Sequence, residues 1–64
     1  SKALGTKLKE IRNKNFLTVT AVANALKIAP STLRNYELGN GTITLNTLYG
    51  LSQIYGVSVE TLII

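Results

Sequence analysis

"LKIAPSTLRNYELGN", residues 26–40, is the stretch on which the reading of this chain turns. A proline followed by serine and threonine ordinarily marks a loop. Here, however, Leu33 and Tyr36 follow Pro30 at helical spacing, and "GNG" supplies a stop at Gly39. Proline is well suited to the first position of a helix, where its missing N–H would have no partner and its φ is already helical. The spacing therefore predicts a helix over 30–38 that begins at Pro30. Immediately before it, Thr18 is a candidate N-cap for "VTAVANAL", a short apolar helix over 19–26. Only "KIA", residues 27–29, separates the two. So short a connection suits two helices that cross steeply, the helix-turn-helix arrangement.

The flanks fill in the rest. Leu4, Leu8 and Ile11 repeat at i, i+4 and i+7 among Lys and Glu, which predicts an amphipathic helix over 2–14. "NKNF" closes it, with Asn as the expected left-handed residue. Ala21, Ala23 and Ala25 suggest close approach by a neighbouring helix. Thr44 caps a fourth helix over 45–55, with Leu45, Leu48, Leu51, Ile54 and Tyr55 as its inward stripe and Gly56 at its close. Ser58 caps a fifth over 59–63. "TITL" has no second β-branched run to pair with, so it reads as loop plus cap. The expected fold is a compact all-α bundle of five helices, a single domain over 1–64.

Composition narrows the function classes. The chain has no Cys and no His, and its acids are Glu10, Glu37 and Glu60. Those absences argue against a transition-metal site and against the usual nucleophile–base pairs, so no enzyme activity and no cofactor are expected. No apolar stretch approaches the roughly 20 residues of a membrane span, and the lysine-spaced N-terminus does not resemble a signal peptide. No small-molecule ligand is suggested. With a net charge of +4, and Lys2, Lys7, Lys9, Arg12 and Lys14 opposed only by Glu10 in the first segment, two readings stand: a solvated basic face, or a footprint for phosphates.

The surface of the third helix can be tested by arithmetic. At about 100° per residue, Ser31, Arg34 and Asn35 fall on the same side as Pro30, with Thr32 at its edge. Leu33 and Tyr36 fall opposite, where Glu37 is an oddly placed charge. Asn can pair with adenine, Arg with guanine or phosphate, and Ser with either. An ordinary polar solvent face would carry similar residues.

Taken together, "LKEIRNKNFLTVTAVANALKIAPSTLRNYELGNGTITLNTLYGLSQIYGVSVETL" resembles the helix-turn-helix domain of phage repressors, Cro proteins and their XRE-like relatives, from about Leu4 to Leu62. The most specific segments are "L..IR", "LT...VA" and "STLRNYELG". The resemblance implies sequence-specific binding of double-stranded DNA, as a transcriptional repressor or regulator, with the helix over 30–38 in the major groove. It implies base readout by Pro30, Ser31, Arg34 and Asn35. Backbone contacts would come from Thr18, Val19, Lys27, Thr32, Lys7 and Asn40. It makes Arg12 and Glu37 a partly buried ion pair that ties the first helix to the third. It also implies a homodimer on a pseudo-palindromic site, in the cytoplasm of a bacterium or encoded by a phage.

The chain departs from the family pattern in four ways. Lys27 stands where glycine is usual, Val19 where glutamine is frequent, and Pro30 where a polar reader is common. The loop "GNGTIT" lacks the basic residues often found there. Two alternatives stand beside this reading. One is a protein-interaction or dimerisation module on the same scaffold, using Leu62, Ile63 and Ile64. The other is RNA binding, disfavoured because Phe16, Tyr36, Tyr49 and Tyr55 are expected mostly on apolar stripes rather than on an exposed stacking platform.

Overall fold

The computed structural model describes residues 2–64. Its helices are α1 (Lys2–Lys14), α2 (Val19–Leu26), α3 (Pro30–Glu37), α4 (Leu45–Tyr55) and α5 (Val59–Ile63). Among the described residues there is no strand, so the expected all-α bundle stands. Among the described residues no helix is long and apolar enough to cross a membrane.

Three of the starts are capped by hydroxyls. The N–H groups of Ala21, Thr47 and Thr61 donate to the side-chain oxygens of Thr18, Thr44 and Ser58 at 3.1, 3.2 and 3.1 Å. Each satisfies one of the amides a helix start leaves without an internal partner. α3 lacks a side-chain cap and instead has Pro30 in its first turn.

Four of the ends share one device. The residue after a left-handed one donates back five positions: Leu17 to Arg12, Ile28 to Ala23, Asn40 to Asn35 and Val57 to Ser52, at 2.9–3.2 Å. This is the Schellman closure. The left-handed residues are Phe16 (φ 57), Lys27 (φ 60), Gly39 (φ 84) and Gly56 (φ 67). The left-handed position after α1 is therefore taken by Phe16 and not by an asparagine. Hydrogen bonding decides this: the Phe16 and Leu17 amides reach back to Asn13 and Arg12, and that register leaves position 16 at the bend.

Leu8, Val22, Ala23, Leu33, Leu48, Leu51, Tyr55 and Leu62 form one core, to which every helix contributes. α3 packs against both α1 and α2, α4 against α2 and α5, and α5 closes back on α1. At the α1–α3 crossing the backbones nearly touch. A Cβ on Gly5 would lie 2.5 Å from the Tyr36 carbonyl oxygen and 2.6 Å from that of Glu37. Glycine is required there for approach, despite its cost of about 0.5–1 kcal/mol inside a helix.

Three details differ from the sequence reading. α3 ends at Glu37, one residue early, because Leu38 already serves as the cap before left-handed Gly39. Leu45 is 72% exposed; as the first residue of α4 it precedes the turn at which the inward stripe begins. Of the three alanines on α2, only Ala23 is buried. Its neighbours at 21 and 25 lie on the opposite side of an eight-residue helix.

Candidate nucleic-acid interface

α3 divides cleanly into an anchored side and an open one. Leu33 is fully buried in the core and Glu37 is 9% exposed. Burying a carboxylate is costly unless it is paired and hydrogen-bonded. The partner is Arg12 on α1. Its Nε donates to Glu37 Oε2 at 2.6 Å and its Nη2 to Oε1 at 3.1 Å. This two-pronged fit uses the planar fork of the guanidinium. The remaining nitrogen, Nη1, donates to the Leu17 carbonyl at 2.9 Å. Arg12 thus joins α1, the turn before α2, and α3. The bond to Glu37 holds the guanidinium pKa above its ordinary value, outweighing the opposing effect of burial.

Tyr55 lies near this pair. Its hydroxyl is buried and has no hydrogen-bond partner among the described residues. Burial, reinforced by the Glu37 charge and opposed by Arg12, pushes its pKa up to about 12.

On the open side, Ser31, Arg34 and Asn35 are exposed, with Pro30 and Thr32 half-buried at the edges. None of these three exposed side chains makes a hydrogen bond within the described fold. Lys27, exposed in the turn, and Thr18 and Val19, at the start of α2, belong to the same helix-turn-helix unit. Thr18 Oγ1 accepts from Ala21 N–H, which leaves its hydroxyl proton free to donate. Asn40 is exposed in the loop after α3, and its amide closes that helix onto Asn35.

Lys7 stands apart from this set. It lies against α5, where its Nζ donates to the Thr61 carbonyl at 3.0 Å. A cation is favourable at a helix C-terminus, and this bond satisfies one of the last carbonyls of α5.

Two aromatic residues also differ from expectation. Phe16 is 94% exposed and Tyr49 60% exposed, rather than on inward stripes. The exposure of Phe16 does not follow from residue type, but the sequence carries a signal for it. Leu17 is the apolar residue that packs back after a Schellman turn, and placing it there puts position 16 at the outward bend.

Among the described residues no group of His, Cys, Asp or Glu could hold a metal ion. A family model described as "Helix-turn-helix" matches residues 8–62, which takes in the core of α1 and everything from there to α5. No curated protein and no solved structure matches the chain. With the α2–α3 pair, its three-residue turn and the Arg12–Glu37 tie in place, the chain belongs to the helix-turn-helix family of XRE-like DNA-binding domains.

Proposed function

We propose that this protein binds double-stranded DNA sequence-specifically and acts as a transcriptional repressor or regulator. In this reading α3 lies in the major groove, where Pro30, Ser31, Arg34 and Asn35 read base edges. Thr18, Val19, Lys27, Thr32 and Asn40 rest on the flanking phosphates and sugars and set register. Lys7, which gives one of its three donors to the Thr61 carbonyl, turns the others toward the phosphates. Two copies would occupy half-sites about one helical turn apart.

The observation that carries the reading is the asymmetry of α3. Its inner side is fixed by Leu33 and the Arg12–Glu37 pair, while Ser31, Arg34 and Asn35 point outward with no internal partner. Side chains held on a rigid helix and left unpaired are what direct readout requires.

Selection of bound sequences from a random duplex pool tests this. The expected result is a two-fold related consensus whose affinity falls steeply as salt rises. Asn35→Ala should relax discrimination at one base-pair position by about 1–3 kcal/mol. No enrichment, or affinity indifferent to salt, would defeat the reading. A second reading, a protein-interaction module, loses Leu62 to the core but keeps exposed Ile63 and Ile64, and exposed Leu45 and Tyr49, one turn apart on α4, add a second apolar pair. It predicts a partner-dependent change at those residues and no duplex affinity.

A further inference from the structure

Phe16 combines two unfavourable features in one residue. Its φ of 57° is a left-handed conformation that L side chains adopt at a cost, and its ring is 94% exposed to water. The same chain uses glycine at the equivalent positions after α3 and α4. A glycine at 16 would relieve both features. Strained residues that persist in a fold concentrate where the strained side chain has work to do.

The turn that carries the ring is also held firmly. Leu17 N–H donates to the Arg12 carbonyl, while Arg12 Nη1 donates to the Leu17 carbonyl. Through the Glu37 carboxylate, the same guanidinium fixes this turn against α3. The ring is therefore presented at a set position relative to the helix proposed to read bases.

Its surroundings select the partner. The exposed neighbours in sequence are Asn13, Lys14, Asn15 and Thr18, which are amides, a cation and a hydroxyl. A protein-docking hot spot is a buried anchor in a closely packed, desolvated patch depleted of charge, whereas this ring stands singly beside an exposed cation, Lys14. A sugar–phosphate strand offers the complementary pattern: anionic oxygens for the border and the apolar edge of a deoxyribose for the ring.

We infer that Phe16 is a DNA-contacting residue that packs on a deoxyribose at the rim of the groove entered by α3, trading fold stability for binding. This rests on the proposed DNA-binding function.

The test compares wild type with Phe16→Gly, Phe16→Asn and Phe16→Tyr on the selected duplex and on a random one. Phe16→Gly should melt at a higher temperature yet bind both duplexes about five- to tenfold more weakly, since burial of part of an apolar ring is lost. Its salt dependence should match wild type, because no phosphate contact is removed. Phe16→Asn, which tolerates the left-handed bend, should lose affinity similarly, and Phe16→Tyr should retain it. Phe16 is the only phenylalanine, so a fluorophenylalanine label gives a single fluorine resonance. That resonance should shift on duplex addition and stay fixed as protein alone is concentrated.

Wild-type affinity in Phe16→Gly would overturn the inference, as would a fluorine shift driven by protein concentration, which would make a second copy the occupant. If wild type bound no duplex at all, the proposed function would fail first and take this inference with it. The two failures are therefore distinct.

Discussion

The ends of α3 and α4 place glycine at the left-handed residue, Gly39 and Gly56, whereas the ends of α1 and α2 place Phe16 and Lys27 there. The hydrogen-bond closure is the same in all four. The backbone geometry is thus independent of the side chain, and what differs is how much strain each end carries. Both strained ends flank α2, on either side of the unit that presents α3. Both relaxed ends lie downstream, where α3 and α4 hand over to the rest of the bundle. The pattern teaches that the turns of the helix-turn-helix keep projecting side chains at a stability cost that the chain avoids elsewhere.

The largest test of this contrast removes what holds the first strained turn. Glu37→Gln leaves Arg12 buried without a counter-charge and should lower stability by about 3 kcal/mol. For a domain of this size that lowers the melting temperature by more than about 10 °C. An unchanged melt would mean that the ion pair does not anchor the turn.

Next come the relaxed ends. Gly56→Ala should cost about 1–2 kcal/mol, from left-handed strain alone, because a Cβ there meets nothing within 4 Å. Gly39→Ala should cost more, since its Cβ would fall 2.8 Å from Lys2 Cα. Equal losses would show that the contact with α1 yields freely. Conversely, Lys27→Gly should gain about 1 kcal/mol by thermal melting while weakening duplex binding. A gain in stability with unaltered binding would confine Lys27 to a structural role.

The smallest effect concerns Tyr55. Tyr55→Phe removes a buried hydroxyl without a partner and should be neutral or stabilising by up to about 1 kcal/mol. It also carries a pH signature. The folded phenol ionises near 12 rather than the usual 10. Its contribution is therefore intact below about pH 10 and declines as pH rises toward 12, because the unfolded chain releases the proton first. The phenylalanine variant should lack that part of the alkaline decline in melting temperature.

Much of this was legible in residue order. Pro30 at a helix start, hydroxyls at 18, 44 and 58, and glycines at 39 and 56 are local signals whose physics operates within a few residues, so the helix limits followed from them. Glu37 on an otherwise apolar face, with the family resemblance, pointed to Arg12. Less legible was the side each end residue faces. Leu45 sits in the first turn of α4, where the periodic stripe is not yet constrained by packing. Phe16 reads as core by residue type, but hydrogen bonding places it at a bend. Lys7 is implied as a phosphate contact, and only the return of α5 onto α1 shows its partner within the fold, the Thr61 carbonyl. These are consequences of tertiary closure, which local periodicity does not contain.

The near contact at Gly5 has a consequence for how the domain would meet a ligand. With the α1 backbone against the last turn of α3, and Arg12 bonded across the same junction, a tilt or slide of α3 on its own would break both contacts. The domain would dock as a rigid body. Any accommodation would then fall to the rotamers of its outward side chains and to the helix it binds, so the bending and twisting preferences of the duplex would become part of what it selects.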